Sequence, residues 1–235
     1  MGTRKLVMFG STGLLLAGIL LAPSWQAQGE LVRGHELYKT HCASCHGEDG
    51  KGVQGVKAAT LNNEGFLKVA SDDYLLKSIR LGRPSLATNA MPHFDASKLP
   101  DEKVNLIIKN MRSWHPEISA PVETGEKVAG DPVKGEAFYK AACAACHGQK
   151  GEGGIGAALL DPGYLNAASD EFILHSITAG RPGTNMPPYP DSPDIRNVVA
   201  FLRSKQVPYD PAAKKEAEKG ESKDKAAADG EKSKN

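Results

Sequence analysis

Cysteine and histidine carry the chemistry most plainly written in this sequence. Thr40 to Gly52 reads THCASCHGEDGKG, in which two residues separate Cys42 from Cys45 and His46 follows at once. Cys143, Cys146 and His147 repeat the arrangement 101 residues later, and these two pairs account for all 4 cysteines of the chain. Three chemistries share this pattern. Two CxxC pairs could bind one zinc ion as a Cys₄ site. A CxxC pair could be a redox disulfide, although a thioredoxin-like one belongs in a βαβ setting. A CxxC followed by His could anchor a haem, two thiols reaching two vinyl groups while the histidine ligates the iron from the proximal side.

The surroundings of the motif repeat as well, and internal repeats bear on the whole fold. GHELYKTHCASCHG (Gly34–Gly47) matches GEAFYKAACAACHG (Gly135–Gly148), pairing Tyr38 with Tyr139. GFLKVASDDYLLKSIRLGRP (Gly65–Pro84) matches GYLNAASDEFILHSITAGRP (Gly163–Pro182), and NAMPHF (Asn89–Phe94) matches TNMPPY (Thr184–Tyr189). The chain therefore divides into two copies of one small domain, expected at residues 30–118 and 133–208. Residues 119–132, rich in Pro, Gly and charge, read as the linker. A single shared zinc site explains neither the histidines nor a motif complete within each copy. A simple CxxC disulfide closes so short a loop that it adds little stability. Covalent haem accounts for the spacing, the histidine and the duplication together. It also gives a domain poor in aromatic residues a large apolar centre.

Periodicity supplies the elements that must position these groups. Val104, Ile107, Ile108 and Met111 recur at helical spacing, as do Ile195, Val198, Val199 and Leu202, so each copy closes with an amphipathic helix. Pro100 and Pro193 lie near the starts of these helices, where proline is tolerated. Ser71-Asp72-Asp73 and Ser169-Asp170-Glu171 read as N-caps with acidic first turns for a middle helix. A short helix carries Leu37 and Tyr38, or Phe138 and Tyr139, into the cysteine motif. No alternating pattern suggests strands, so the fold class is all-α.

A second axial ligand would have to come from elsewhere in each copy. Met91 and Met186 occupy matched Met-Pro loops between the middle and last helices, where a thioether could reach the distal side of the iron. A methionine filling a core gap is the plain alternative, and Met111 is read that way. His93 rivals Met91 in the first copy, but its counterpart is Pro188. His35, His41, His115 and His175 have no histidine counterpart and read as exposed or locally hydrogen-bonded.

With these motifs in view, both halves resemble class I cytochrome c domains: an N-terminal helix into CxxCH-Gly, a glycine-rich loop, a Met-Pro loop and a C-terminal helix. The resemblance covers most of Gly34 to Lys205. It implies two covalently attached haem c groups, held by Cys42 and Cys45 and by Cys143 and Cys146. Their axial ligands would be His46 with Met91 and His147 with Met186. Arg83 and Arg181, in matched Gly-Arg-Pro tripeptides, are candidates for hydrogen bonds to haem propionates; a surface arginine in a turn is the plain reading. The pair is similar to two-haem cytochromes c, including haem-bearing subunits of quinol–cytochrome c oxidoreductases and cbb-type oxidases, which are often tethered by a transmembrane segment.

Composition bounds the rest. With 29 basic and 28 acidic residues, net charge makes no case for nucleic acid. Arg4 and Lys5 precede an apolar run from Leu6 to Ala22, so residues 1–29 read as a cleaved export signal or a retained membrane anchor. Either places the remainder in the periplasm or on the outer face of the cytoplasmic membrane. Residues 209–235, of Lys, Glu, Ala, Asp and Ser without an apolar face, read as a disordered tail. The expected function is single-electron transfer between redox proteins: a quinol oxidoreductase, an oxidase, or a soluble cytochrome or cupredoxin. A small di-haem enzyme, of peroxidase or sulfur-compound dehydrogenase type, is the main alternative, and a haem-based sensor a third. Both of the latter need an open coordination position.

Overall fold

The apolar positions read at helical spacing become the buried stripes of two matching helices. Val104, Ile107, Ile108 and Met111 are buried along one helix; Ile195, Val198, Val199 and Leu202 are buried along the other. A computed structural model describes residues 24–85 and 90–213 of the chain. The apolar run Leu6–Ala22 and the tail beyond residue 213 lie outside the described residues. Among those described, no helix is long and apolar enough to cross a membrane.

Among the described residues, each half contributes five helices. The first has α1 (Ser24–His41), α2 (Ala43–His46), α3 (Glu64–Val69), α4 (Asp72–Leu81) and α5 (Asp101–Arg112). The second has α6 (Pro132–Ala142), α7 (Ala144–His147), α8 (Pro162–Ala167), α9 (Asp170–Ala179) and α10 (Pro193–Ser204). The described residues contain no strand; one isolated antiparallel bridge joins Arg83 to Met91. The tandem all-α arrangement is thus the one expected from the repeat. Serine caps the middle helices as read: the Ser71 side chain accepts from Tyr74 N and the Ser169 side chain from Phe172 N. Two details differ from the sequence reading. Helix α1, expected to be short, is described over Ser24–His41 and runs through residue 30 without a break. The six-residue α3 and α8 are too short to show a period, and their signal is the capping Asn63 and Asp161.

In each half the first helix packs across the last, α1 on α5 and α6 on α10. Glycine permits the approach. A Cβ at Gly34 would lie 2.2 Å from the Leu106 carbonyl oxygen, and one at Gly135 would lie 1.9 Å from that of Asn197. From the far end of the last helix an arginine reaches back to the corner between the two middle helices. Arg112 Nη1 donates to Leu67 O at 2.8 Å and Nη2 to Ala70 O, while Nε bonds Asp72. Arg203 repeats the clamp on Leu165 O at 2.7 Å, Ala168 O and the buried Asp170.

The halves meet crosswise, α4 on α8 and α3 on α9. Because α8 is the counterpart of α3 and α9 of α4, these are one contact made twice with roles exchanged, the pattern of an isologous interface. At its centre Tyr74 and Phe172 stack with ring centroids 3.7 Å apart. Residues between α5 and α6 are fastened to both halves: Glu123 accepts from Ser71 Oγ, and Glu171 accepts from Thr124 N and Gly125 N.

Two stability measurements check this account. Gly135→Ala forces a methyl into the α6–α10 crossing and is expected to cost about 1–3 kcal/mol in denaturant unfolding. Arg203→Met leaves Asp170, only 4% exposed, without its buried cation. That change is expected to cost on the order of 3 kcal/mol.

Candidate functional site

Both cysteine motifs begin where a long helix ends. Cys42 N donates to Tyr38 O at 2.8 Å as the last bond of α1, and the chain then makes the single turn α2. His46 N and Cys45 N both donate to Cys42 O, so the two thiols and the imidazole leave one tight turn. Gly47 follows at φ 79°, a left-handed conformation that a side chain rarely adopts. Tyr38, buried under the motif, donates its hydroxyl to Gly47 O at 2.9 Å and ties the exit of the turn back to α1. The second half repeats each feature: Cys143 N on Tyr139 O at 2.8 Å, Gly148 at φ 87°, and Tyr139 hydroxyl on Gly148 O at 2.8 Å.

All four thiols are free, and no disulfide joins them. Burial first, and proximity to Cys45 second, push the Cys42 thiol up to about 12; burial and then proximity to Cys146 raise Cys143. The imidazoles are fixed in one tautomer. A carbonyl oxygen only accepts, so His46 Nδ1 carries the proton it donates to Ala59 O at 2.8 Å, and His147 Nδ1 likewise donates to Ala157 O at 2.8 Å. In the neutral ring Nε2 then keeps a bare lone pair, the arrangement a ligating histidine needs. Burial holds the His46 imidazole below its ordinary value, only partly offset by the Ala59 carbonyl, which favours that neutral form. In the second half the loop closes on the ring, since a Cβ at Gly156 would lie 2.7 Å from His147 Cε1.

The methionine loops are pinned to the helices before them. Arg83 N donates to Met91 O at 2.9 Å and Phe94 N to Ile79 O at 3.0 Å. Arg181 N donates to Met186 O at 3.0 Å and Tyr189 N to Ile177 O at 3.1 Å. Both methionines are half-buried, and Met91 packs against the core. Both arginines are half-buried at the seam between the halves. Arg83 donates to Gly82 O, Ser78 Oγ and Tyr74 Oη, and Arg181 to Gly180 O and Ser176. Burial pulls the Arg181 guanidinium down.

Other candidates are not drawn together. Among the described residues, no three His, Cys, Asp or Glu side chains converge as a metal cluster, so the CxxC pairs stay apart and a shared Cys₄ zinc site is not formed. His115 bonds Asn62 and Glu117, and His41 meets Phe94 edge to face, local roles as expected. Sequence reasoning missed the groups that hold the site: the Tyr38 and Tyr139 hydroxyls, the Ala59 and Ala157 carbonyls, and the clamps Arg112 and Arg203. The tyrosines and arginines were visible as matched positions in the repeat. The carbonyls carry no sequence signal, because every residue has one.

Comparison with known proteins agrees with this architecture. The family model for cytochrome c oxidase, cbb3-type, subunit III matches residues 29–119 and 130–202, one segment in each half. The cbb3-type cytochrome c oxidase subunit FixP of Bradyrhizobium diazoefficiens is 27% identical over 184 residues, covering 74% of this chain and 60% of that protein. The corresponding subunit CcoP of Rubrivivax gelatinosus is 30% identical over 149 residues, 61% of this chain and 40% of that one. Cytochrome c-552 of Schinkia azotoformans is 51% identical over 45 residues, 19% of this chain and 79% of that one. The chain thus spans 60% or less of the length of the two oxidase subunits named here. With two free CxxC pairs, two tautomerically fixed histidines and a family match running through both halves, the chain belongs to the cbb3-type cytochrome c oxidase subunit III family.

Proposed function

We propose that this chain is a di-haem c-type cytochrome that carries single electrons outside the cytoplasmic membrane, within or beside a respiratory oxidase. The observation that carries the reading is the paired motif. In each half two unpaired thiols and an imidazole with Nδ1 tied to a backbone carbonyl leave one helical turn. Free thiols fit thioether attachment, and a bare Nε2 fits iron ligation. Cys42, Cys45 and His46 would hold one haem; Cys143, Cys146 and His147 would hold the other. When bound, haem supplies a one-electron Fe(III)/Fe(II) couple.

The protein's own contribution is positioning. The tyrosine hydroxyls hold the motif turn against the first helix, and the Arg83 and Arg181 amides hold the methionine loops at a fixed place beyond α4 and α9. Met91 and Met186 are the proposed sixth ligands, and Arg83 and Arg181 the proposed partners of the propionates. A thioether in the sixth position leaves no site for substrate and raises the potential, which suits a carrier rather than a catalyst. The oxidase subunits among its relatives point to a redox protein as partner, and Leu6–Ala22 to a membrane tether or export signal.

Two experiments test the reading. Cys42→Ala and Cys143→Ala should each abolish covalent retention of one haem, read as haem stain on a denaturing gel calibrated by haemochrome content. Full staining of either variant would refute that attachment. The ferric protein should show the weak sulfur-to-iron band near the red end of the visible spectrum, and Met91→Leu or Met186→Leu should each remove about half of it. A spectrum unchanged by either substitution, or rapid carbon monoxide binding by the untreated protein, would favour the enzyme reading.

A further inference from the structure

The seam between the halves holds two cations that no carboxylate among the described residues neutralises. Among the described residues, the arginines in ion pairs are Arg80, Arg112, Arg196 and Arg203. Arg83 and Arg181 bond only to neutral oxygens, and in neither does Nε–H donate to another described residue. Each instead lies over an aromatic ring of the opposite domain. Arg83 Cζ sits 5.7 Å from the Tyr164 ring centroid, and Arg181 Cζ sits 5.8 Å from that of Phe66. Phe66 and Tyr164 are counterparts in the repeat, so this is one cross-domain contact made twice.

We propose that each haem's reduction potential is set in part by an aromatic ring of the other domain, acting through the arginine it supports: Phe66 through Arg181, and Tyr164 through Arg83. The proposal rests on the two-haem reading above. Each of these arginines also carries the amide that pins its own domain's methionine loop, so its charge is one side chain away from the backbone that holds the proposed distal ligand. The propionates are the anionic groups a haem would bring to such a cation. A positive charge held near the iron favours the reduced form, which carries one positive charge fewer. The ring matters because a guanidinium stacked on a face is held and partly desolvated. Without the ring it can swing into water, where its field is screened.

The two copies differ in one atom that ranks their sensitivity. Tyr74 Oη accepts from Arg83 Nη2 at 3.3 Å, whereas its counterpart Phe172 offers Arg181 no oxygen. Each arginine is also held by a serine hydroxyl and a glycine carbonyl of its own domain, but Arg83 has the Tyr74 hydroxyl where Arg181 has the longer bond to Ser176 O at 3.5 Å. Arg181 depends more on Phe66.

The test is a redox titration of the full-length holoprotein, with the haems told apart by a Met91→His or Met186→His marker on one of them. Phe66→Leu, in the first domain, is expected to shift the reduction equilibrium of the second haem about threefold toward the oxidised form while leaving the first unchanged. Phe66→Tyr should restore it. Arg181→Gln should shift the same haem about tenfold, or about 59 mV for a one-electron couple. Tyr164→Leu should act on the first haem in the same direction, by less. Should Phe66→Leu fail to fold, Phe66→Met keeps the bulk without the ring and carries the same expectation. A second haem that keeps its potential without the ring, or two haems that shift together, overturns the proposal. Wild-type protein without covalent haem, by haemochrome assay, overturns the two-haem reading and this proposal with it.

Discussion

Each half of the molecule depends on how closely its first helix can approach its last. At Gly34 and Gly135 there is no room for a Cβ, and a helix placed any further out would not bring its C-terminal end to the same point. That end is where the cysteine turn begins. The last helix in turn delivers Arg112 or Arg203 to the carbonyls at the end of α3 or α8, which fixes the corner from which α4 or α9 departs. The far end of α4 or α9 carries the arginine whose amide holds the methionine loop. One crossing thus sets the cysteine turn directly and, through the arginine clamp and the middle helix, the methionine loop. The intervening links are hydrogen bonds to backbone, which fix position without demanding a particular side chain from their acceptor.

Duplication let the same surface serve twice. The longer middle helix of each half, α4 or α9, packs on its own last helix and also on the short middle helix of the other half. Aromatic side chains fill the seam, Tyr74 on Phe172 and Tyr164 beside Phe172, and two glycines allow close approach, one to backbone and one to a proline ring. A Cβ at Gly163 would lie 2.2 Å from the Gly82 carbonyl oxygen, and one at Gly65 would lie 2.5 Å from Pro182 Cδ. Polar bonds set the register. Asp161 accepts from Ser85 N at 2.8 Å, and its counterpart Asn63 donates to Pro182 O at 2.9 Å. The swap of Asp for Asn preserves the crossing while changing which partner donates. An interface of this kind holds the two domains at one mutual distance. A flexible linker alone would let that distance vary.

Much of the fold was legible because the repeat supplied an internal control. A serine before two acids, or an apolar residue at every third or fourth place, means more when it recurs in both copies, and α4, α5, α9 and α10 stand where those signals put them. The cysteine, histidine and methionine positions were legible for the same reason. The short helices α3 and α8 were not, since six residues make less than two turns and no period can be read from them. The seam was invisible for a deeper reason. Phe66, Tyr74, Tyr164 and Phe172 fit the core of a single domain as well as an interface, and pattern alone does not say which neighbour a buried face has. Matched Arg83 and Arg181 were conspicuous in the sequence, but that each crosses to the other domain's ring required coordinates.

The carboxylates bear on the choice between carrier and catalyst. A general acid or base needs a titratable group free to exchange a proton with substrate. Asp161 and Asp170 are the buried carboxylates among the described residues, at 1% and 4% exposure, and both are fully engaged. Asp161 accepts from Tyr164 N and Ser85 N, capping α8 and joining the domains. Asp170 accepts from Val128 N and is paired with Arg203. The two imidazoles of the motifs have their Nδ1 protons committed to backbone carbonyls. Among the described residues, the carboxylates withdrawn from water therefore hold the structure in place. A rigid surround of this kind suits a centre whose chemistry is to gain and lose an electron with little movement of its neighbours.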